Sequence, residues 1–339
     1  MMGIVLFIFF SSFIMHLLLI KYGHKFYYKK FYYSEVQNIN PNSTSRIGGF
    51  NIFFIFFLIS ILINNQSLLW FFFASFILLP ALMEDLGIII KALYRFYSTL
   101  LGSFLIVFIL IETYPNFDLG ILNIVLNNNI FQIVFFTFAL TAMVNGQNII
   151  DGTNGLSAFT SLTIYSSLLY LGVEINDEVL IQKSIIIITL LISFLLLNYP
   201  YGKIFLGDMG SYFLGLYAGY LVIDTYGKNN QLASWSAVII LFYPIMEVIF
   251  SYFRKIFEKK SPLKPDSGHL HLKIFFLISK REPNRLLYNS IVAPILSIIW
   301  LTPFFLFTLT LSFPEYSLLA LIVLVGVYLV FYYLIPRVK

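Results

Sequence analysis

The chain has 339 residues, 59% of them hydrophobic and 11% charged, with a mean hydropathy of +0.87. A soluble domain carries about 25% charged residues, so the composition excludes an ordinary water-soluble globule. The net charge of +5 points to loops facing anionic lipid rather than to nucleic acid, and the lack of cysteine excludes disulfides and thiolate metal sites.

Apolar runs near 18 residues recur from end to end, each long enough to cross a hydrocarbon core of about 30 Å. They lack the period-2 alternation of barrel strands, and only helices or closed barrels satisfy their backbone in lipid. The expected fold is therefore all-α: one polytopic membrane helix bundle over residues 1–339. Spans are predicted near 4–20, 47–63, 67–83, 98–113, 130–146, 156–173, 180–197, 211–224, 233–252, 287–311 and 317–335, eleven in all. The first run lacks a basic leader and a small-residue cleavage site, so it is read as a span rather than a signal peptide. The apolar stretch 119–126 is too short to cross and is expected at the interface.

With the N-terminus outside, the inner loops 21–46, 84–97, 198–210 and 254–286 and the tail 336–339 hold all of the 21 Lys and Arg residues except Lys183 and Lys228. The positive-inside rule selects that orientation. The inner turn 147–155 carries none of them, and 254–286 is the one polar loop long enough to fold over the inner face.

Reactive groups gather in these inner loops. Glu84 and Asp85 close the third span, followed by Lys91 and Arg95. The next inner turn carries Asn148, Asp151, Asn154 and Gly155, and Asn198 precedes a Phe-Leu-Gly-Asp-Met-Gly-Ser turn containing Asp208. His269 and His271 sit in the basic loop. Acids at membrane depth are costly and either pair or serve function. Oxygen-rich, sulfur-free groups suit a hard cation such as Mg2+ bridging phosphates, and the basic residues would neutralise phosphate oxygens. Each motif also has an ordinary reading. Glu84–Asp85 can be a solvated helix end, Asn148–Gly155 turn punctuation and Asp208 a helix cap; paired histidines are often surface residues.

Asn-x-x-Asp-Gly-x-x-Gly-Leu at 148–156, followed by Phe-x-Gly-Asp-x-Gly-Ser at 205–211, resembles the polyprenyl-phosphate N-acetylhexosamine-1-phosphate transferases. That superfamily includes the phospho-MurNAc-pentapeptide and GlcNAc-1-phosphate transferases. The resemblance runs from Arg46-Ile-Gly-Gly49 to His271. It implies a reaction of a UDP-N-acetyl sugar with polyprenyl phosphate, giving polyprenyl-diphospho-sugar and UMP with Mg2+, or Mn2+ in its place. It also implies a bacterial cytoplasmic membrane and an active site on the cytoplasmic face.

By position, the resemblance makes Glu84, Asp85 and Asp208 catalytic, with Asp208 the Mg2+ ligand and Asp85 a second candidate. Arg95 would meet the lipid phosphate, with Lys91 the weaker candidate, and Asn148, Asp151, Asn154, Asn198, His269 and His271 would line the nucleotide-sugar pocket. The chain departs from the family pattern in several places. Glu84 and Asn154 replace aspartates, Leu272 stands where many members have a third histidine, and Asn42 and Ser45 occupy places where Lys or Pro is found. These departures suit a branch acting in O-antigen or other surface polysaccharide synthesis better than peptidoglycan synthesis. Two other readings use the same residues: a transporter or lipid flippase with the acids as ion relays, for which Glu247 is the main intramembrane candidate, and a catalytically silent assembly partner. Nothing in the sequence marks a homodimer interface.

Overall fold

A computed structural model describes residues 2–26, 44–63, 65–116, 128–261, 267–279 and 285–336. The stretch 119–126, Asn42, Asp266 and the end of the tail lie outside them. Fifteen α-helices and no β-strand occur among the described residues, so the chain is an all-α, multi-pass membrane protein.

In chain order the helices are α1 (Met2–Tyr22), α2 (Gly48–Leu62), α3 (Leu68–Asp85), α4 (Ala92–Leu110), α5 (Asn129–Ile149), α6 (Leu156–Glu174), α7 (Glu178–Asn198) and α8 (Gly207–Lys228). They continue as α9 (Ser234–Ile240), α10 (Phe242–Phe257), α11 (Leu270–Ser279), α12 (Arg285–Ile295), α13 (Ser297–Trp300), α14 (Thr302–Ser312) and α15 (Ser317–Leu334). All eleven expected segments are helical, but the count of eleven spans is not reproduced. Seven helices among the described residues are long and apolar enough to cross, or nine if each of two bent pairs is one span. Of the other two, α2 has only 15 residues, and α8 is too polar to pass by hydropathy because it runs through the protein interior.

The expected spans 233–252 and 287–311 are not straight. The first breaks by 84° between α9 and α10, the second by 43° between α12 and the helices after it. Proline contributes to the first break. Pro244 has no N–H to give and its ring clashes with the carbonyl four residues back, which belongs to Ile240, the last residue of α9. The expected polar loop 254–286 is likewise more than a loop. α10 extends to Phe257, and α11 is an apolar helix with Leu270, His271, Leu272, Lys273, Ile274 and Phe275 buried.

α8 is the axis of the bundle, buried along nearly its whole length. Aromatic side chains surround it: Tyr217 lies 4.6 Å from Phe56 and 5.1 Å from Trp70 between ring centroids. At its start Gly49 and Gly210 bring α2 and α8 so close that a β-carbon on either would meet the other's backbone. The small pair replaces side-chain packing with direct backbone approach.

Three spans are capped at one end by a side-chain oxygen: Ser67 accepts from Trp70 N, Asn128 from Ile130 N and Asp177 from Leu180 N. Such caps satisfy amides that a helix start leaves unpaired. These three helices, α3, α5 and α7, carry Asp85, Asn148 and Asn198 at their other ends. α4, α6 and α8 start from that same end, so the alternation of the bundle brings the acidic and amide residues together.

Candidate active site

The first turn of α8 is the centre of the cluster. Gly207 has φ of +78°, a conformation open to glycine at little cost, and a β-carbon there would overlap the Arg46 carbonyl and crowd the Asp85 carboxylate. The turn is held from the side by the segment before α2. Phe205 N donates to Ser45 O (2.8 Å), Gly48 N to Phe205 O (3.0 Å) and Gly49 N to Leu206 O (2.8 Å).

Asp85 caps α8 from another helix: its Oδ1 accepts from Asp208 N at 2.9 Å and its Oδ2 from Met209 N at 2.8 Å. A carboxylate at a helix N-terminus satisfies unpaired amides and opposes the positive end of the helix dipole. Its side chain is 1% exposed, whereas Asp208 is 15% and Glu84 28% exposed. Of the expected acidic pair, Glu84 is therefore the part-exposed member and Asp85 is built into the framework.

The Asp208 carboxylate is bridged by two arginines. Arg95 Nη1 donates to Oδ2 at 2.7 Å and Arg46 Nη2 to Oδ1 at 3.4 Å. Arg95 Nη1 also lies 2.6 Å from Glu84 Oε2, and Arg46 Nε 3.8 Å from Asp85 Oδ1. The ordinary reading of Asp208 as a cap does not hold, since Asp85 performs that task. Lys91 is exposed at the start of α4, apart from this cluster.

Asp151 stands in the neighbouring turn between α5 and α6, within the electrostatic reach of this cluster. Burial pushes its carboxyl well above the usual carboxylate range, opposed by Arg46 and reinforced by Asp208 and Asp85. Asn148 is tied to the centre, its Nδ2 donating to Ser211 Oγ at 3.0 Å, which donates to Asp208 O at 3.1 Å.

The other amides expected in the pocket are spent elsewhere. Asn198 accepts from Gly155 N (2.8 Å) and donates to Ile204 O (2.7 Å), locking the 150–155 turn to the Asp208 segment. Asn154 is buried, receives no solvent-facing role, and donates to Pro200 O at 2.9 Å, while its backbone N–H donates to Asn289 Oδ1 at 2.7 Å. Both residues tie turns together, Asn198 through both ends of its side-chain amide and Asn154 through its Nδ2 and its backbone N–H.

His269 and His271 are buried rather than on the surface. His271 packs against Gly152, where a β-carbon would meet its ring, so the histidine element touches the Asp151 turn. Burial holds the His271 imidazole down to about 3, with Glu247 opposing and His269 adding to the effect.

Arg46 is the functional residue the sequence reading left without a role. Its signal is a single arginine in the Arg-Ile-Gly-Gly run at 46–49. Ser211, the last residue of the Gly-Asp-x-Gly-Ser motif, links Asn148 to the Asp208 carbonyl.

The donor set fits Mg2+ or Mn2+ in one mode. Carboxylate oxygens of Glu84 and Asp208 lie together beside two guanidiniums, a hard, sulfur-free donor set of the kind that Mg2+ takes. Among the described residues no three His, Asp or Glu side chains group into a protein cage, but Mg2+ held together with substrate phosphates uses only one or two carboxylates. Asp208 and Glu84, part-exposed and held by arginines that could turn to substrate phosphates, suit that role; Asp85 is 1% exposed and fixed by two backbone amides.

Comparison with known proteins shows what the chain is similar to. The family model described as glycosyl transferase family 4 matches residues 67–226. A probable undecaprenyl-phosphate N-acetylglucosaminyl 1-phosphate transferase of Bacillus subtilis is 30% identical over 193 residues, covering 53% of this chain and 54% of that protein. An undecaprenyl-phosphate alpha-N-acetylglucosaminyl 1-phosphate transferase of Thermotoga maritima is 32% identical over 41% of each chain. A phospho-N-acetylmuramoyl-pentapeptide-transferase of Leuconostoc mesenteroides is 37% identical over 27% of this chain and 28% of that one. The chain thus spans about half the length, or less, of the relatives it matches.

Proposed function

We propose that this chain, whose residues 67–226 match the model of glycosyl transferase family 4, is a member of that family and transfers an N-acetyl-sugar 1-phosphate from a UDP-sugar to polyprenyl phosphate. The observation that carries this reading is the convergence of Glu84, Asp208, Arg46 and Arg95 on one helix start, with Asp151 in the neighbouring turn beside a buried His-Leu-His element. In the reaction an oxygen of the lipid phosphate bonds to the sugar-bearing phosphorus. The bond from that phosphorus to the bridging oxygen breaks and UMP leaves.

The residues divide this work by position. Arg95 and Arg46 present guanidinium donors that suit phosphate oxygens. Glu84, the more exposed acid, receives a proton of the lipid phosphate and holds Arg95 toward the cleft. Asp208 is the ligand for Mg2+, and the ion when bound supplies charge neutralisation on the diphosphate. Asp151 and Asn148 line the nucleotide-sugar side, with the histidines adjoining through Gly152.

The lysine and arginine distribution supports a cytoplasmic face for this centre, with the N-terminus outside, in a bacterial cytoplasmic membrane. A surface polysaccharide such as O-antigen is the pathway that the departures Glu84 and Asn154 favour. The transporter or flippase reading gains no support, since the relatives are named as transferases. Purified protein given undecaprenyl phosphate, Mg2+ and a panel of UDP-sugars is expected to release UMP with at least one UDP-N-acetylhexosamine. Release must stop when either lipid or metal is omitted. No release from any member of the panel would overturn the proposal.

A further inference from the structure

Glu247 is an acid inside an otherwise apolar segment, and it is 1% exposed. Isolated carboxylates in such surroundings are costly, so its partners are informative. Its Oε1 accepts from His269 Nδ1 at 3.1 Å and from Leu270 N at 3.2 Å, and its Oε2 accepts from Tyr328 Oη at 2.9 Å. Three elements meet on one carboxylate: α10, the start of α11, and α15.

Each bond has a separate consequence. Leu270 N belongs to the first residue of α11, an amide that the helix cannot pair by itself, so Glu247 fixes where α11 begins. An ionised carboxylate only accepts, so His269 must carry its hydrogen on Nδ1 and keep Nε2 as the unprotonated nitrogen when neutral. The bond made by one ring nitrogen decides the role of the other. Tyr328 holds the second oxygen and so stops the carboxylate from turning away. Tyr332, one helical turn further along α15, donates from its hydroxyl to Gly268 O at 3.1 Å, a second tie to the same loop.

His269 in turn stacks on His271, with ring centroids 5.9 Å apart and planes 15° from parallel. His271 abuts Gly152, the neighbour of Asp151. A continuous set of contacts therefore leads from the last membrane helix to the Asp151 turn.

We infer that Glu247, held by Tyr328, is a positioning residue that sets the tautomer of His269 and the placement of the His-Leu-His element against the Asp151 turn. The inference rests on the transferase reading for its kinetic consequence only. If the histidine element contacts the nucleotide-sugar, loosening it weakens binding of that substrate and leaves the lipid phosphate unaffected.

The experiment compares wild type with Glu247→Gln, Glu247→Ala, Tyr328→Phe and His269→Gln. Histidine 15N NMR of the detergent-solubilised protein, with the His269 signal assigned by its loss in His269→Gln, is expected to show the Nδ1–H tautomer in wild type and in Glu247→Gln, whose amide oxygen still accepts. Glu247→Ala is expected to give mixed tautomers and, with the best UDP-sugar, a KM raised about tenfold or more, the range for lost orienting partners of histidines. KM for polyprenyl phosphate should stay within about twofold, and Glu247→Gln should recover most of the loss. Tyr328→Phe provides a milder variant if Glu247→Ala does not fold, and is expected to raise the same KM by a smaller factor.

An unchanged tautomer together with unchanged KM values in variants that fold would overturn the inference, because a merely structural residue lowers the amount of active protein without moving either. If wild type turns over no UDP-sugar, the transferase reading fails, and the NMR arm still decides whether Glu247 orients His269.

Discussion

Among the residues of the cluster, burial and partners separate reacting groups from framework. Asp85 pairs with two amides of α8 and is almost wholly enclosed, while the part-exposed Glu84 pairs with Arg95. Asp85→Ala is expected to cost about 2–4 kcal/mol of stability, from two charge-assisted bonds and a lost helix cap. Glu84→Gln removes a part-exposed ion pair and should cost less than about 1 kcal/mol while depressing turnover. Thermal unfolding in detergent, set beside UMP release, checks both. Asn198→Ala leaves Gly155 N–H and Ile204 C=O without their partner and is expected to cost about 2–4 kcal/mol, with KM for the nucleotide-sugar unchanged in the protein that folds. A selective rise in that KM would place Asn198 in the pocket as well. At this scale the sequence order of motifs identified the right loops, but it could not tell Asp85 from Glu84, nor see that Asn154 and Asn198 spend their amides on backbone groups. Those distinctions depend on which side chain faces inward across three helices, which no local spacing encodes.

The helices were legible wherever an apolar run and its ends agreed. Ser67, Asn128 and Asp177 sit at helix starts as capping chemistry requires. Breaks inside apolar runs were missed: hydrophobicity continues through 233–252, and the one local signal was Pro244. Pro80 lies inside α3 without ending it, so proline alone does not decide. At the α9–α10 break the bent backbone is met by α5, where Gly146 leaves room for the Pro244 carbonyl. α11 was unreadable for another reason, since its ten residues are too short to span and their burial depends on α10 and α15. Its His271 makes the element sensitive to acid. The imidazole is held down to about 3 from an unfolded value of about 6.5, so below about pH 6.5 the unfolded state binds the extra proton. Stability present at neutral pH is then lost as pH falls, by up to about 1.4 kcal/mol per unit. His271→Asn is expected to flatten that slope between pH 6.5 and 4, as read by unfolding midpoints; an identical slope would place the acid sensitivity elsewhere.

For the molecule as a whole, composition and charge were the strongest guides. They identify an all-α membrane bundle, and the topology expected from them assigns all but two of the Lys and Arg residues to one side. The structure brings the turns on that side into contact, as one shared centre requires. Because the chain has no cysteine, single introduced cysteines report sidedness without background. A cysteine at the exposed Lys91 is expected to react with an impermeant thiol reagent only after the membrane is opened, and one at the exposed Gln231 in intact cells. The reverse pattern would invert the proposed orientation. The central claim, that the acid at the start of α8 serves phosphosugar transfer, is tested most directly by exchange of labelled UMP into a UDP-N-acetyl sugar in membranes holding equal amounts of wild type and Asp208→Asn. The account predicts exchange that needs both Mg2+ and polyprenyl phosphate and falls at least about 100-fold in the variant. Exchange at the wild-type rate by Asp208→Asn would contradict it.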